Sequence, residues 1–197
     1  MPMFQTPFSA RYWKEAAASV VCLRCLVFAA LMVAAAIALS YFSIPIHESL
    51  KVSFGFLARS VCALVCGPVM AVLYGFVEDI LGYILKPTGA FFPGYTLTTM
   101  LGCFWYAIFF FRARITITRI CLAKLVTNVQ NVLLGSLWSA ILYSKGYLFY
   151  MTSSALKNIL CLPVQILMLV ALFSALLPIL QRMELVPRQM DEDIPWI

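Results

Sequence analysis

Fifteen consecutive residues, Cys25 to Leu39 (CLVFAALMVAAAIAL), contain no polar side chain. Ser40 is the one interruption before Tyr41 and Phe42, which carries the stretch to 18 residues. As a helix rising about 1.5 Å per residue, it nearly spans a hydrocarbon core of roughly 30 Å. A soluble domain of 197 residues has no use for such a segment, and several more follow it. The chain is therefore expected to be an all-α integral membrane protein, with lipid as the solvent in which its polar groups must be explained. The run does not read as a signal peptide. It is long, lacks a small-residue cleavage site with an export-type domain after it, and is followed by further spans.

Hydrophobic residues make up 63% of the chain and charged residues 11%, against roughly a quarter charged in ordinary globular domains. Six spans are expected, at about 22–42, 50–66, 68–85, 95–111, 116–143 and 156–180. Gly67-Pro68 punctuates the second and third, Lys86-Pro87-Thr88-Gly89 and Phe92-Pro93-Gly94 the third and fourth, Arg112-Ala113-Arg114 the fourth and fifth, and Ser144-Lys145-Gly146 the last two. The chain thus divides into an N-terminal segment (1–21), a six-helix membrane domain (22–180) and a C-terminal tail (181–197), whose stretch Met190-Asp191-Glu192-Asp193 is expected to fray. No internal repeat is visible.

Six spans put both termini on one side. That side holds Arg11, Lys14, Arg24, Arg112, Arg114, Arg119, Arg182 and Arg188, and the other holds Lys51, Lys86, Lys145 and Lys157. The positive-inside rule makes the arginine-rich side, and both termini, cytoplasmic. The net charge of +6 is read as this topology rather than as nucleic-acid binding, since no basic stripe exists. The seven cysteines fall mostly in apolar runs and His47 is the only histidine, so no metal or other cofactor is expected.

Several polar groups interrupt the apolar pattern. Glu48–Phe56 (ESLKVSFGF) and Leu85–Tyr95 (LKPTGAFFPGY) mix cations, hydroxyls and aromatics at span ends. Such loops suit a flat anionic ligand, with Phe54, Phe92 and Tyr95 for stacking, Thr88 for hydrogen bonding, and Lys51, Lys86 or Lys157 for carboxylates. The alternative is an interfacial aromatic belt with snorkelling lysines, which is the reading of Lys145. In the fifth span Lys124, Asn128 and Asn131 recur at i, i+4, i+7, on one helix face that must turn away from lipid. Together with Asn158 they either bind a ligand or join helices. Glu78 and Asp79 read first as a structural ion pair or interhelical bond, with a proton relay or ring-edge acceptor as alternatives; Arg59 is a possible partner. His47 reads as an interfacial side chain. Ala30, Ala34 and Ala38 recur every fourth residue, a spacing that allows close helix approach, either within the bundle or against a partner. No Walker A loop, serine elbow, HExxH or histidine pair is present, so no chemistry of turnover is expected.

Three stretches, FSIPIHESLKVSFGFL (42–57), CGPVMAVLYGFVEDILGYILKPTGAFFPGYTLT (66–98) and RITITRICLAKLVTNVQNVLLGSLWSAILYSKGY (114–147), closely resemble the folate-specific substrate-binding subunits of energy-coupling factor transporters, the FolT family. The resemblance covers roughly 20–180, and the KPTGAFFPGYTLT loop and the AKL–N–NV–LG pattern carry most of it. It implies a six-helix folate-binding component of a cell-membrane vitamin uptake system, which pairs with a transmembrane coupling subunit and two ATPase subunits that hydrolyse ATP for it. It implies delivery by toppling, gating by 43–54 and 86–95, and docking of the coupling subunit on Ala30, Ala34 and Ala38. The chain departs from the family pattern at Arg59, Cys62 and Cys66, where small residues are usual. Competing readings are a component for another vitamin, a structural or assembly membrane protein, and an autonomous secondary transporter.

Overall fold

The computed structural model describes residues 6–42, 44–47, 50–52, 54–87, 91–143, 146–189 and 194–195, the strands 44–47 and 50–52 and residue 143 by their backbone. The elements in chain order are α1 (Ala10–Ala18), α2 (Leu23–Tyr41), β1 (Ile44–His47), β2 (Leu50–Val52), α3 (Gly55–Leu85), α4 (Pro93–Phe110), α5 (Ile117–Tyr143) and α6 (Tyr147–Arg182). Four of them, α2, α3, α5 and α6, are long and apolar enough to cross a membrane.

The 31-residue α3 is two rods, not one. Gly67 breaks it with φ 81°, ψ 177°, a conformation open essentially to glycine alone, and Pro68 starts the second rod with a preset φ. The proof of a reversal is an ion pair. Arg59 and Glu78 lie 19 residues apart and would be about 28 Å apart on a straight helix, yet their side chains meet at 2.8 Å. The rods α3a (55–66) and α3b (68–85) therefore form a hairpin, and with α2, α4, α5 and α6 they make the six-helix bundle expected from the sequence.

One end of the bundle, here the base, gathers α1, the Gly67 turn, the 111–116 connection and the C-terminal segment. The Phe111 ring fills the notch that Gly67 leaves open; a Cβ there would stand 2.9 Å from it. Tyr12, fully buried, packs edge-on against Phe111 and donates to the Ala107 carbonyl oxygen. Burial pushes its phenol well above the ordinary range, so this latch stays neutral. Arg24 donates to the Met183 carbonyl oxygen, and Ile117 N–H to that of Pro195. Arg112, held at φ 55°, reaches Glu15 of α1 at 3.3 Å. The expected fraying of 190–193 falls outside the described residues.

At the other end, the mouth, two expectations are corrected. The second span was expected from residue 50, but helix begins at Gly55, and 50–52 pairs antiparallel with 44–47. Leu50-Lys51-Val52 has strand composition and Pro45 cannot continue a helix, so the connection closes as a small β-hairpin. The sixth helix starts at Tyr147, nine residues before the expected 156: Gly146 stands non-helical at its N-cap, and the Thr152 hydroxyl is absorbed locally, donating to the Leu148 carbonyl oxygen. The 12 residues of α3a make a rod of about 18 Å, short of the bilayer core. The core lies along α3, 72% of whose most apolar window is buried against 17% for α2 and α6.

Candidate functional site

The polar stripe of α5 is the starting point for a candidate site. Lys124, Thr127 and Asn128 are buried, while Leu125, Val129, Leu133, Leu137 and Ile141 line the opposite, outward face. Asn131 and Gly135 continue the inward stripe at i+7 and i+11 from Lys124. Asn131 is nonetheless exposed, and a Cβ built on Gly135 would meet nothing within 4 Å. The stripe thus passes from buried at Asn128 to accessible at Asn131 towards the mouth, the candidate cleft. Lys124 closes its deep end: its ammonium sits 4.3 Å from the centroid of the Phe56 ring and donates to the Tyr106 hydroxyl at 3.3 Å. Asn128 Nδ2 is buried with no hydrogen-bond partner, as is Gln165 Oε1 of α6. An unpaired buried amide costs of order 1–3 kcal/mol unless something else satisfies it.

The roll of α5 that aims this stripe inward is set by its seam with α4. Gln130 Nε2 donates to the Thr98 carbonyl oxygen at 2.7 Å, and Trp138 Nε1 to Thr98 Oγ1 at 2.9 Å. Tyr95 OH and Ser139 Oγ share a 2.9 Å hydrogen bond. Phe92 packs on Trp138 and Tyr95, centroids 5.6 and 6.3 Å apart, forming an aromatic group at the mouth. Gly94 permits that approach, since a Cβ there would lie 2.5 Å from Phe92 and 2.6 Å from Trp138.

The remaining expected residues separate. Asn158 is half-buried on α6, on the same helical face as Gln165, and donates to the Ser154 carbonyl oxygen at 2.8 Å. Lys157 is half-buried beside it. Phe54 precedes α3a, half-buried and two residues from Phe56. Lys86 is not a free cation at the mouth. Its ammonium donates to the Ser40 carbonyl oxygen at 2.9 Å and lies 5.1 Å from the Tyr41 ring centroid, where it satisfies the C-terminal end of α2. Thr88 and Lys145, and the side chains of Lys51 and His47, lie outside the described residues. Ala30, Ala34 and Ala38 are all exposed on α2, whereas Ala29, Val33 and Ala36 are buried. Glu78 and Asp79 have the structural roles expected first. Glu78 takes Arg59 in a two-pronged ion pair at 2.8 and 2.9 Å, and Asp79 accepts from Thr96 and Thr99 at 2.7 and 3.2 Å.

Sequence reading missed Phe56, Tyr106, Trp138 and Gln165. Three are aromatics in runs already rich in aromatics. Gln165 alone carried a signal, as an amide seven residues beyond Asn158 in the apolar middle of α6.

The family model described as ECF transporter, substrate-specific component, matches residues 24–186. Two similar relatives are both described as folate transporter FolT. That of Clostridium novyi is 28% identical, over 58% of this chain and 67% of the relative. That of Leuconostoc mesenteroides subsp. mesenteroides is 30% identical, over 59% of this chain and 67% of the relative. A crystal structure of FolT bound with folic acid superposes with a TM-score of 0.68 at 26% identity, over 75% of this chain and 91% of that one.

Proposed function

The chain belongs to the substrate-specific components of ECF transporters, and we propose that the substrate it captures is folate, bound in the cleft along α5. The observation that carries the proposal is the inward stripe of α5, where a buried Asn128 amide without a partner adjoins an accessible Asn131. An amide offers a donor and an acceptor side by side, which matches the edge of a pterin ring. The two FolT relatives and the folic-acid-bound FolT structure support the same ligand.

In this reading Asn128, Asn131 and Asn158 pair with the pterin edge, helped by Gln165. Phe54, Phe92 and Tyr95, with Trp138, stack on the pterin or benzoyl rings, each stack worth about 1 kcal/mol. Lys157 and Lys51 take the glutamate carboxylates at the mouth, with Lys124 at the deep end. Lys86 and Thr88 belong to the connection 86–92 before α4, which in this reading closes over the ligand, and 43–54 closes from the other side. Closure hides polar ligand groups before the bound component moves against its partner, because exposing them to lipid is costly. The chain itself is a binding component and not an enzyme. A transmembrane coupling subunit and two ATPases supply the energy. Both termini are cytoplasmic, in keeping with the exposed Arg11, Lys14, Arg24, Arg114, Arg119, Arg182 and Arg188 at the base. The membrane domain is 22–180, flanked by the cytoplasmic segments 1–21 and 181–197.

Calorimetry on the detergent-purified chain tests the ligand, with riboflavin and thiamine as controls. Tight one-to-one binding of folic acid is expected. Binding of a control vitamin instead would overturn the substrate, and no binding by folded protein would favour an assembly role. The docking face is tested separately. Leucine at positions 34 and 38 puts bulk on the exposed alanine stripe, so folic acid binding should survive while uptake in the reconstituted transporter is lost. Uptake at the wild-type rate would show that the coupling subunit docks elsewhere.

A further inference from the structure

A polar ribbon crosses the bundle from the α3 hairpin to the α5 wall of the cleft. It begins at the Arg59–Glu78 ion pair between α3a and α3b. Asp79, the next residue, carries it to Thr96 and Thr99 of α4. Thr98, between those two, takes Trp138 on its hydroxyl and Gln130 on its carbonyl, both from α5. At its far end the ribbon thus holds the helix that presents Asn128 and Asn131. At its near end, Arg59 lies one turn from Phe56, whose ring covers the Lys124 ammonium at 4.3 Å. Both ends of the ribbon therefore stop one residue or one turn from the α5 stripe.

The Gly67 turn fixes how far α3a can slide along α3b, but not how the rod rolls about its axis. Between Ala58 and Cys66 the side chains of α3a are small or smoothly apolar apart from Arg59, and a smooth rod rolls at little cost. A two-pronged guanidinium–carboxylate pair, by contrast, has one geometry. Glu78 is buried and Arg59 only partly exposed, so parting the pair leaves a largely desolvated charge without its partner. Holding packed elements in one arrangement is a known use of buried polar pairs.

We propose that Arg59 and Glu78 are positioning residues for the ligand cleft: their ion pair sets the roll of α3a against α3b and so places Phe56 over Lys124 and, through Asp79 and Thr98, the inward face of α5. The proposal rests on the folate reading for its assay. Neither residue touches the α5 stripe, so their effect on affinity passes through the residues they hold.

The test is folic acid calorimetry on the full chain for Arg59→Lys, Glu78→Gln, Arg59→Glu, Glu78→Arg and the reversed pair Arg59→Glu/Glu78→Arg. Circular dichroism and gel filtration at low temperature select the variants that remain folded. Glu78→Gln should bind folic acid at least tenfold more weakly. Arg59→Lys, which keeps the charge but loses the two-pronged fork, should fall by threefold or more. The reversed pair should recover affinity that neither single reversal retains, an outcome that a merely stabilising pair would not produce in folded protein. Folded Arg59→Lys or Glu78→Gln binding within twofold of the wild type would overturn the proposal, as would a folded reversed pair no tighter than its single reversals. Failure of the wild type to bind folic acid would instead remove the ligand assignment. The same series, run on whichever control vitamin the wild type takes, then decides the positioning role by the same thresholds.

Discussion

Replacing Gly67 with alanine should be the most damaging single-methyl change in this protein. Two separate costs fall on one atom. The backbone at φ 81°, ψ 177° is unfavourable for any residue with a Cβ, by about 1–3 kcal/mol. The new methyl would also stand 2.9 to 3.1 Å from three atoms of the Phe111 ring, and overpacking of that kind adds about 1–3 kcal/mol. The ring has little room to retreat, because Tyr12 packs on it edge-on at 5.2 Å. A combined loss of roughly 2–6 kcal/mol is a large part of an ordinary folding free energy of about 5–15 kcal/mol. Thermal unfolding in detergent should show a midpoint lowered by many degrees. A double-mutant cycle with Phe111→Ala separates the two costs, since trimming the ring relieves the clash but not the backbone strain. An unchanged midpoint for Gly67→Ala would mean that residues 66–68 do not form the turn of the hairpin.

Asn128→Ala should act in the opposite sense on stability and on binding. The buried Nδ2 has no partner, so its removal lifts a desolvation cost from the unliganded protein, whose thermal midpoint should hold or rise. Folic acid, losing its partner on the ring edge, should bind about 1–3 kcal/mol more weakly, or roughly 5- to 150-fold. Asn131→Ala should weaken binding in the same way, with little change in stability because the residue is already accessible. The pattern separates ligand contact from helix glue. An amide that joins helices would lower the midpoint when removed and leave the affinity of the folded protein alone. That result at position 128 would remove Asn128 from the binding surface.

Much of the architecture is legible in the residues because lipid leaves few choices. A backbone that cannot hydrogen-bond to solvent must close its bonds within helices, so each apolar run declares a span and each Gly-Pro or Arg-Ala-Arg break declares an end. The third, fourth and fifth expected spans match the rods to within two residues. The stripe of Lys124, Asn128 and Asn131 is legible for a related reason, since periodicity names a face and the cost of polar groups in lipid names its direction. Where water-facing connections begin, the rule weakens. The β-hairpin at 44–52 and the early start of α6 lie at the mouth, where the choice between helix, strand and loop is nearly balanced.

Partnership belonged to the tertiary structure. Nothing in the order of residues says that Arg59 meets Glu78 while the adjacent Asp79 turns to Thr96 and Thr99, or that Lys86 ends on the Ser40 carbonyl instead of at the cleft. Nor does it join Phe56 to Lys124, or Trp138 to Thr98. These pairings depend on the roll and rise of rods distant in sequence, and a shift of one turn, about 5.4 Å, would exchange every partner. The chain's composition and periodicity thus determined how many helices cross and which face of α5 turns inward. The packing of the short α3a against α3b and α4 decided which side chains that face meets.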